Sequence, residues 1–246
     1  MPRSSNKPRR PLRFVLRWLA WLLAVAAVAF IVADGIYLAR IWPDWEAIRT
    51  GPVPESAFIK DYRKRLRVKH RLPESQWKPV PFWQIPVVVQ KAFIVAEDGR
   101  FWQHSGVDWQ ALRHAIQANI KHKAFKYGAS TISQQTTKNM FLTSDRTFLR
   151  KWHELVLTRA MESKLGKQRI LEIYLNDAQL GKGVFGVAAA ARYYWGKPLD
   201  QLGAREAAEL AASLPGPARN NPKTRTRVFL KRAATIRKNL NIVLSR

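Results

Sequence analysis

The most constraining feature of the sequence is an uncharged apolar run near its N-terminus. The run WLAWLLAVAAVAFIVA, Trp18 to Ala33, contains no charged residue, and the apolar stretch continues past Asp34 to Ala39. A helix needs about 20 predominantly apolar residues to cross a bilayer, because each residue adds about 1.5 Å along the axis. Residues 18–39 number 22 and meet this requirement. We therefore predict a single transmembrane anchor over residues 18–39.

A cleavable signal peptide is the alternative interpretation of this run. The apolar core of a signal peptide is only about 7–15 residues long and precedes a small-residue cleavage site. Val32-Ala33-Asp34 is a poor cleavage site, and Trp18 and Trp21 lie where aromatic anchors meet the membrane interface. Residues 1–17 are rich in arginine and lysine and contain no acid. Since positive residues beside a span stay in the cytoplasm, we predict a cytoplasmic tail over residues 1–17 and an external location for everything after Arg40.

The overall charge narrows the classes of partner. The chain has 43 Lys and Arg against 17 Asp and Glu, a formal net charge of +26. Such a balance favours nucleic acid, an anionic membrane surface or a phosphorylated substrate as partner. The predicted topology argues against nucleic acid and favours the membrane surface or a lipid phosphate. The sequence has no cysteine, which excludes disulfides, thiol catalysis and cysteine-ligated zinc.

Two regions with different patterns follow the anchor. Residues 40–80 are rich in proline and contain the basic run KDYRKRLRVKHR at 60–71, which is either a solvated basic face or a site for acidic headgroups. We predict a stalk and a lead-in strand or loop there. From Ile85 onward apolar residues recur at i, i+3 and i+4, and no sustained alternation of period two is present. Residues 81–246 are therefore predicted to form one mostly α domain.

Seven segments of that domain carry the helical pattern. They are IPVVVQKAFIVAED, VDWQALRHAIQANIKH, RKWHELVLTRAMESKL, QRILEIYLN, VFGVAAAARYYW, AREAAELAASL and FLKRAATIRKNLNIVL. Asp108 and Ser144 precede periodic segments and are predicted N-caps, whereas Gly166 and Gly196 fall where helices are expected to stop.

A first cluster of polar residues, EDGRFWQHSGVD, begins where an apolar helix ends. Glu97 is expected at that helix terminus, beside a cleft and desolvated on one side. Burial and the like charge of Asp98 both favour a protonated carboxyl, which makes Glu97 a usable base near neutral pH. The structural alternative is a surface acidic pair that caps a helix, with His104 as an ordinary structural histidine.

A second cluster, YGASTISQQTTKNMF, is unusually rich in hydrogen-bonding side chains. Gly128 and Ala129 permit close backbone approach, and the polar residues that follow are Ser130, Thr131, Gln134, Gln135, Lys138 and Asn139. An apolar helix face would not place so many such groups in succession. The structural alternative is a capped, solvated helix start.

A third cluster lies in LRKWHELVLTRAMESKL. Arg150 and Glu154 are four residues apart and share a helix face, with Lys151 nearby. Two cations beside a carboxylate can bind a diphosphate while an acid stays close to it. The structural alternative is a surface ion pair that contributes about a few tenths of a kcal/mol.

Together with two later segments, these clusters resemble the five ordered motifs of the peptidoglycan glycosyltransferases, the family 51 enzymes that polymerise lipid II. The five are EDGRFWQHSGVD, GASTISQQTTKN, RKWHE, RILEIYLN with GVFGVAAAARYYWGK, and EAAELAASLPGPARNNP. The anchored N-terminus and the lack of a following domain resemble the monofunctional members of Gram-negative bacteria, since a bifunctional penicillin-binding protein would continue into a transpeptidase. The resemblance implies a lysozyme-like α fold with a small apolar jaw subdomain that dips into the bilayer.

The resemblance also implies roles for individual residues. Glu97 matches the general base and Glu154 the second essential carboxylate. Asp98, Phe101 and His104 match residues that shape the cleft. The residues at substrate-binding positions are Ser130, Thr131, Gln135, Lys138, Asn139, Arg150 and Lys151. The chain departs from the commonest family residues at Ala129, Ser133, Thr136 and Gln179-Leu180.

The implied reaction joins a growing glycan linked to undecaprenyl diphosphate to lipid II, with inversion to a β-1,4 linkage and release of undecaprenyl diphosphate. No cofactor is required, and a divalent cation (Mg or Mn) at the pyrophosphate is the one addition that the resemblance allows. The implied partners are both lipid-linked substrates, the anionic membrane surface and proteins of cell-wall synthesis or division, without nucleic acid. The implied location is the bacterial inner membrane, with a periplasmic catalytic domain.

Two other functions remain as alternatives. A lysozyme-like hydrolase or lytic enzyme would share the fold and the catalytic glutamate, but it would not need the pair Arg150 and Lys151 for a diphosphate. A non-enzymatic membrane-tethered scaffold would explain the anchor and the charge, but not five ordered motifs.

Overall fold

The computed structural model describes residues 10–68, 72–122, 128–142 and 147–245. The predicted N-cap Ser144 lies outside these residues, as do Tyr127 of the second cluster, residues 1–9 of the tail and residues 69–71 of the basic run. The chain divides into two compact units, Met1–Pro43 and Asp44–Arg246.

The first unit contains one long helix, α1, Arg10–Ile41. Its side chains are predominantly apolar and exposed, including Trp18, Trp21 and Leu23. Among the residues that the structure describes, this is the one helical segment long and apolar enough to cross a membrane. A helix satisfies its own backbone hydrogen bonds, so an apolar surface on all sides suits a bilayer. The prediction of one N-terminal apolar helix ahead of the domain is confirmed.

The second unit is mostly helical, as predicted. Its elements are α2 Trp45–Thr50, α3 Ala57–Val68, β1 Gln76–Trp77, α4 Val87–Glu97, α5 Trp109–Lys121, α6 Ile132–Phe141, α7 Phe148–Asp177, β2 Gln179–Gly181, β3 Val184–Phe185, α8 Val187–Trp195, α9 Ala204–Ser213 and α10 Arg227–Leu244. Short 3₁₀ turns lie at Phe82–Gln84, Phe101–Gln103 and Leu199–Gln201.

The prediction of a strand or loop over residues 40–80 is wrong for much of this segment. Residues 60–68 of the basic run belong to helix α3, whose Ile59 and Tyr62 are buried against Phe185 of β3. These two residues and Leu66 stand at i, i+3 and i+7, so they share one helix face. The many arginines and lysines on the other faces obscure this apolar stripe in the sequence. The compact unit accordingly begins at Asp44.

Polar residues of α7 hold this N-terminal part against the rest of the unit. The guanidinium of Arg169 donates to three backbone carbonyls in and after α2, and it pairs with Glu172 at 2.8 Å. Glu172 accepts from the backbone N–H of Phe82, and the amide of Asn176 both accepts from and donates to the backbone of Val80. Buried polar groups are stable only when they are paired in this way. The polar positions of RILEIYLN therefore serve the fold.

A small sheet interrupts the segment that was predicted to be helical throughout, VFGVAAAARYYW. The strands lie in the order β1-β3-β2, with β1 parallel and β2 antiparallel to β3. Helix α8 begins only after Gly186, which has a φ of 79°. A Cβ at this position would lie 2.5 Å from the carbonyl oxygen of Asn176, so glycine is required. Strands of two or three residues are too short to show an alternation of period two.

Three of the predicted helix boundaries are confirmed. Asp108 caps α5, since its Oδ1 accepts from the N–H of Ala111 at 2.9 Å. Gly196 ends α8 in the left-handed conformation. Gly166, with a φ of 73°, interrupts α7 with a kink.

The packing of α4 determines where its C-terminal end lies. α4 packs against α9 and α10, and α6 packs against α7. Phe93 of α4 is fully buried and meets the ring of Tyr174 edge-on, at 6.2 Å between centroids. Burial of such a side chain contributes about 1.5–3 kcal/mol. This core brings the end of α4 next to α6, α7 and α10.

Helix α5 exposes apolar side chains to the surroundings of the domain. Trp109, Ile116 and Ile120 are all exposed on it, while Ala115 is buried. These three residues stand at i, i+7 and i+11 and therefore share one helix face, and an exposed apolar face is typical of an interaction site. The helix has the character that the resemblance assigns to the apolar jaw.

Candidate active site

Glu97 is the last residue of α4 and lies at the intersection of three helices. Its side chain is 15% exposed. The Oε2 atom accepts from Nε2 of Gln135 on α6 at 2.9 Å, and Oε1 accepts from the guanidinium of Arg232 on α10 at 2.6 Å. The prediction that Glu97 ends an apolar helix with a largely desolvated carboxylate is confirmed.

The environment of Glu97 raises the pKa of its carboxyl. Burial is the largest cause, because a charged carboxylate is poorly solvated there. The hydrogen bond from Gln135 and the charge of Arg232 oppose the shift, and the like charge of Asp98 adds a small increase. The result is a carboxyl more basic than an exposed glutamate, with two donors that keep its charged form accessible.

Asp98 lies behind Glu97 and joins the first cluster to the second. Its carboxylate accepts from Nε2 of His104 at 3.0 Å and from the backbone N–H of Ile132, the first residue of α6, at 3.0 Å. Nδ1 of His104 accepts from the N–H of Gly106 at 3.2 Å, which places the ring proton on Nε2. Asp98 and His104 therefore orient the turn after Glu97 and the start of α6.

Phe101 belongs to the core beneath this turn. It is fully buried, and its ring meets those of Trp102 and His104 edge-on. The ammonium of Lys167 lies 4.4 Å from the ring centroid. The structure thus gives Phe101, like Asp98 and His104, a supporting position at the turn that follows Glu97.

The second cluster divides into capping residues and cleft residues. Thr131 is the N-cap of α6 in a capping box with Gln134, and its hydroxyl donates to the carbonyl of Gly106. Thr131 is therefore a helix cap, as the structural alternative held, and its role toward substrate stays a prediction. Thr136, where the family prefers an apolar residue, donates its hydroxyl to the carbonyl of Ile132 at 2.8 Å and is buried.

The third cluster forms a compact ion triad. Both oxygens of Glu154 are engaged: Arg150 Nη1 donates to Oε2 at 2.7 Å, and Lys151 Nζ donates to Oε1. The side chain of Glu154 is only 3% exposed. The predicted geometry is confirmed, whereas the alternative of an exposed surface pair is wrong because the carboxylate is buried.

These residues line one cleft of about 450 Å³. The predicted residues that line it are Ser130, Gln135, Lys138, Asn139, Arg150, Lys151 and Glu154, and they are joined by Gln134, Tyr174, Gln179 and Pro217, among others. Glu97 reaches the same wall through its hydrogen bond with Gln135. Three cations face one carboxylate in this cleft, so its net positive charge suits a diphosphate.

Two residues next to Glu97 were not predicted from the sequence. Arg232 follows all five motifs and lies in a helix with many basic residues, so nothing in the pattern distinguishes it. Tyr174 lies in RILEIYLN, and its hydroxyl donates to Oε1 of Gln135 at 3.3 Å. A tyrosine within an apolar run usually has a partner for its hydroxyl, which was the available signal.

The described residues do not supply a metal site in or near the cleft. No group of three or more His, Asp, Glu or Cys side chains is close enough to hold an ion within the described part of the chain. Glu154, the carboxylate in the cleft wall, already accepts from both Arg150 and Lys151. These residues therefore do not fit a protein-held divalent cation, and no chemical step is assigned to one.

Similarity to known proteins covers this whole arrangement. Residues 65–241 match the family described as Transglycosylase. A biosynthetic peptidoglycan transglycosylase of Janthinobacterium sp. (strain Marseille) is 35% identical over 231 residues, which cover 94% of this chain and 98% of the relative. The protein of that name in Bordetella pertussis is 37% identical over 235 residues, covering 92% and 96%. The one in Laribacter hongkongensis is 37% identical over 230 residues, covering 93% and 99%.

Proposed function

This chain belongs to the transglycosylase family and is a glycosyltransferase of peptidoglycan synthesis; on that premise we propose that it polymerises lipid II with Glu97 as general base. Its mostly α architecture agrees with the lysozyme-like fold of the resemblance. The observation that carries the proposal is that Gln135, which lines a cleft of net positive charge, donates to the largely buried and basic carboxylate of Glu97. One group can take a proton while the others stabilise a departing diphosphate.

Glu97 has the chemistry that the first half of the reaction needs. The acceptor is lipid II, and its GlcNAc 4-hydroxyl loses a proton to Glu97 as the oxygen attacks the anomeric carbon of the donor. Each carboxylate oxygen of Glu97 already accepts one hydrogen bond, Oε2 from Gln135 and Oε1 from Arg232. Each oxygen can accept two hydrogen bonds, so capacity for the acceptor hydroxyl remains.

The cations of the cleft serve the second half. The bond from the anomeric carbon to the pyrophosphate oxygen breaks, and negative charge builds on undecaprenyl diphosphate as it leaves. Lys138, Arg150 and Lys151 line the cleft where this charge would develop. Fixed cations in a partly desolvated cleft stabilise such charge without reorganisation. Attack opposite the leaving group inverts the α-linked donor to a β-1,4 linkage.

Glu154 acts in this proposal by ordering two of those cations. Its buried carboxylate binds Arg150 and Lys151 through separate oxygens. The pair would repel each other as free side chains, and the carboxylate between them offsets this repulsion. Loss of Glu154 would therefore scatter the cations that contact the diphosphate.

A lytic enzyme is the second candidate, because a hydrolase could use the same glutamate. Hydrolysis of a glycan strand releases a neutral sugar hydroxyl and gives three clustered cations no function. The similarity to biosynthetic transglycosylases over nearly the whole chain also favours synthesis over hydrolysis.

The proposed location is the inner membrane with the catalytic domain in the periplasm. The support is the apolar helix α1 together with the basic residues that precede residue 18. The exposed apolar side chains of α5 would then contact the outer leaflet of that membrane. Binding to cell-wall synthesis or division proteins stays a prediction.

Incubation of the purified chain with fluorescent lipid II in detergent tests the proposal. Polymerisation yields a ladder of glycan strands that lysozyme digests, whereas a lytic enzyme would instead shorten added glycan. Glu97→Gln keeps the shape and the donors but cannot accept the proton, so we expect a loss of about 10²–10⁴-fold in turnover. Glu46→Gln is the matched control, because Glu46 is exposed and pairs with Arg49 at the surface. Near-normal turnover by Glu97→Gln would remove Glu97 from the mechanism.

A further inference from the structure

A line of hydrogen bonds crosses three helices and ends at Glu97. The hydroxyl of Tyr174 on α7 donates to Oε1 of Gln135 on α6 at 3.3 Å. The Nε2 atom of the same amide donates to Oε2 of Glu97 on α4 at 2.9 Å. Tyr174 is almost completely buried, and its ring is held edge-on by Phe93 of α4.

The two contacts of Gln135 depend on each other. A glutamine amide has one acceptor end and one donor end. When Oε1 faces the hydroxyl of Tyr174, the NH₂ group faces the carboxylate of Glu97. A flipped amide would direct Oε1 at the carboxylate, where two lone-pair groups repel, and would present NH₂ to Tyr174. The carboxylate of Glu97 therefore selects this orientation of the amide, and the Tyr174 hydroxyl stabilises it by donating to Oε1.

We propose that Tyr174 is a positioning residue for Glu97 that acts through Gln135, holding the carboxylate in one orientation and in its charged form. This inference rests on the proposed role of Glu97 as general base. Without the Tyr174 hydroxyl, Oε1 of Gln135 loses its donor beside the largely buried base. The amide is then held at its NH₂ end alone, and the hydrogen bond that orients Glu97 is weakened.

The Tyr174 hydroxyl keeps its proton at neutral pH. Burial raises the pKa of Tyr174 well above its usual value, and the charges of Glu97 and Asp98 raise it further. Arg232 opposes this increase only in part. The hydroxyl is thus a permanent donor to Gln135.

Polar groups face Glu97 from three neighbouring helices and from the turn after α4. Asp98 follows it in that turn, Gln135 faces it from α6, Tyr174 from α7 and Arg232 from α10. The charged residues of α9, which also packs on α4, are engaged elsewhere: Glu206 pairs with Lys197, and Glu209 pairs with Arg205 and Arg225. Of these groups, Gln135 is the one that the Tyr174 hydroxyl contacts and stabilises.

Tyr174→Phe removes one hydroxyl and tests the proposal in the lipid II assay. We expect kcat at neutral pH to fall about three- to ten-fold, the effect that one neutral hydrogen bond supports, with KM nearly unchanged. The hydrogen bond from Gln135 lowers the pKa of Glu97, so weakening this hydrogen bond raises the pKa of Glu97. A base works only when ionised, so the acidic limb of the kcat profile should move to higher pH and activity should recover there.

Tyr194→Phe is the matched control. Like that of Tyr174, the Tyr194 hydroxyl donates a hydrogen bond inside the domain, to the carbonyl of Leu180 at 2.7 Å. This hydrogen bond does not involve Glu97 or Gln135. This variant should lose some thermal stability and keep the wild-type pH profile. A merely structural role for Tyr174 would give the same result in Tyr174→Phe and would overturn the proposal.

A double-mutant cycle tests the route through Gln135. If Tyr174 acts through the amide, Tyr174→Phe should change nothing further in a Gln135→Ala background. Losses that multiply in the double variant would overturn the proposal. Inactivity of the wild-type chain, or normal turnover by Glu97→Gln, would instead refute the proposed function itself.

A titration independent of turnover completes the test. The full chain is labelled with ¹³C-glutamate and titrated in detergent by NMR. The carboxyl signal that disappears in Glu97→Gln is assigned to Glu97. Its midpoint should lie at higher pH in Tyr174→Phe than in the wild type and Tyr194→Phe. An unchanged midpoint in a folded Tyr174→Phe variant would overturn the proposal even where activity is too low to measure.

Discussion

The buried carboxyl of Asp177 offers a test of how burial controls charge in this fold. Asp177 is the last residue of α7 and is 1% exposed. Neither of its carboxylate oxygens accepts a hydrogen bond within the described part of the chain. Burial raises its pKa well above the usual value, the negative charge of Glu55 adds to the shift, and the nearby Ser56 hydroxyl, outside hydrogen-bonding geometry, opposes it only in part. Asp177→Asn keeps the shape and removes the titrating group.

The expected magnitude follows from proton linkage. An unfolded chain releases the Asp177 proton near pH 3.9, whereas the folded chain retains it to a much higher pH. The folded state thus binds the extra proton in this interval, and its stability falls as pH rises, by up to about 1.4 kcal/mol per pH unit. Asp177→Asn abolishes this loss. The variant should match the wild type below about pH 4 and become progressively more stable above it.

For a domain of this size, 1 kcal/mol corresponds to about 2–4 °C in melting temperature. The variant should therefore melt about 3–6 °C above the wild type for each pH unit above pH 4, until Asp177 ionises in the folded state.

Urea unfolding of both chains in the same detergent, followed by circular dichroism from pH 3 to pH 8, measures the difference directly. Asp61→Asn is the control, because Asp61 is exposed and pairs with Arg65 on the surface of α3. Loss of such a pair changes stability by about 1 kcal/mol or less. A difference between Asp177→Asn and the wild type that does not vary with pH would refute the reasoning. So would a variant that is the less stable protein at pH 7, since that result requires a stabilised Asp177 carboxylate.

Three further predictions concern the cleft and the anchor. Arg150→Ala should lower kcat by about 10²–10³-fold with a smaller change in KM, because the guanidinium of Arg150 meets negative charge that grows as the bond to the diphosphate breaks. Arg150→Lys should restore only part of the activity, and wild-type turnover in both variants would exclude a diphosphate role for Arg150. Arg232→Gln removes a positive charge that lowers the pKa of Glu97, so the acidic limb of the pH profile of kcat should move to higher pH. Arg232→Lys should move this limb less, and pH profiles identical to that of the wild type would contradict the ion pair. Deletion of residues 1–40 should leave polymerisation in detergent intact and slow it on lipid II in vesicles, because the anchor raises the local concentration of the enzyme at the membrane. A truncated protein that is folded but wholly inactive in detergent would assign the anchor a catalytic role.

The features that the sequence determined by itself are those that depend on neighbouring residues along the chain. The apolar run at 18–39 specifies a helix that needs no partner, because a helix pairs its own backbone groups. The spacing of Arg150 and Glu154 places them on one helix face wherever that helix packs. The Asp108 cap and the Gly196 stop are likewise complete within a few residues.

The tertiary structure decided which side of each helix meets which neighbour. Thr131 and Gln135 are one turn apart, yet Thr131 caps the helix start while Gln135 contacts Glu97. The apolar face of α3 has too few residues to stand out in the sequence among the basic residues of that helix. Only the contact of Ile59 and Tyr62 with Phe185 shows that α3 belongs to the core.

The charge of Glu97 was decided at the longest range. Arg232, its ion-pair partner, lies 135 residues away on a helix with other basic residues at similar spacing. Periodicity shows that α10 has a buried face, but not which of its arginines reaches the end of α4. A pKa depends on desolvation and on charges within a few ångströms, and both exist only after the helices have packed. The sequence could therefore propose Glu97 as the base, whereas the groups that tune its pKa required the fold.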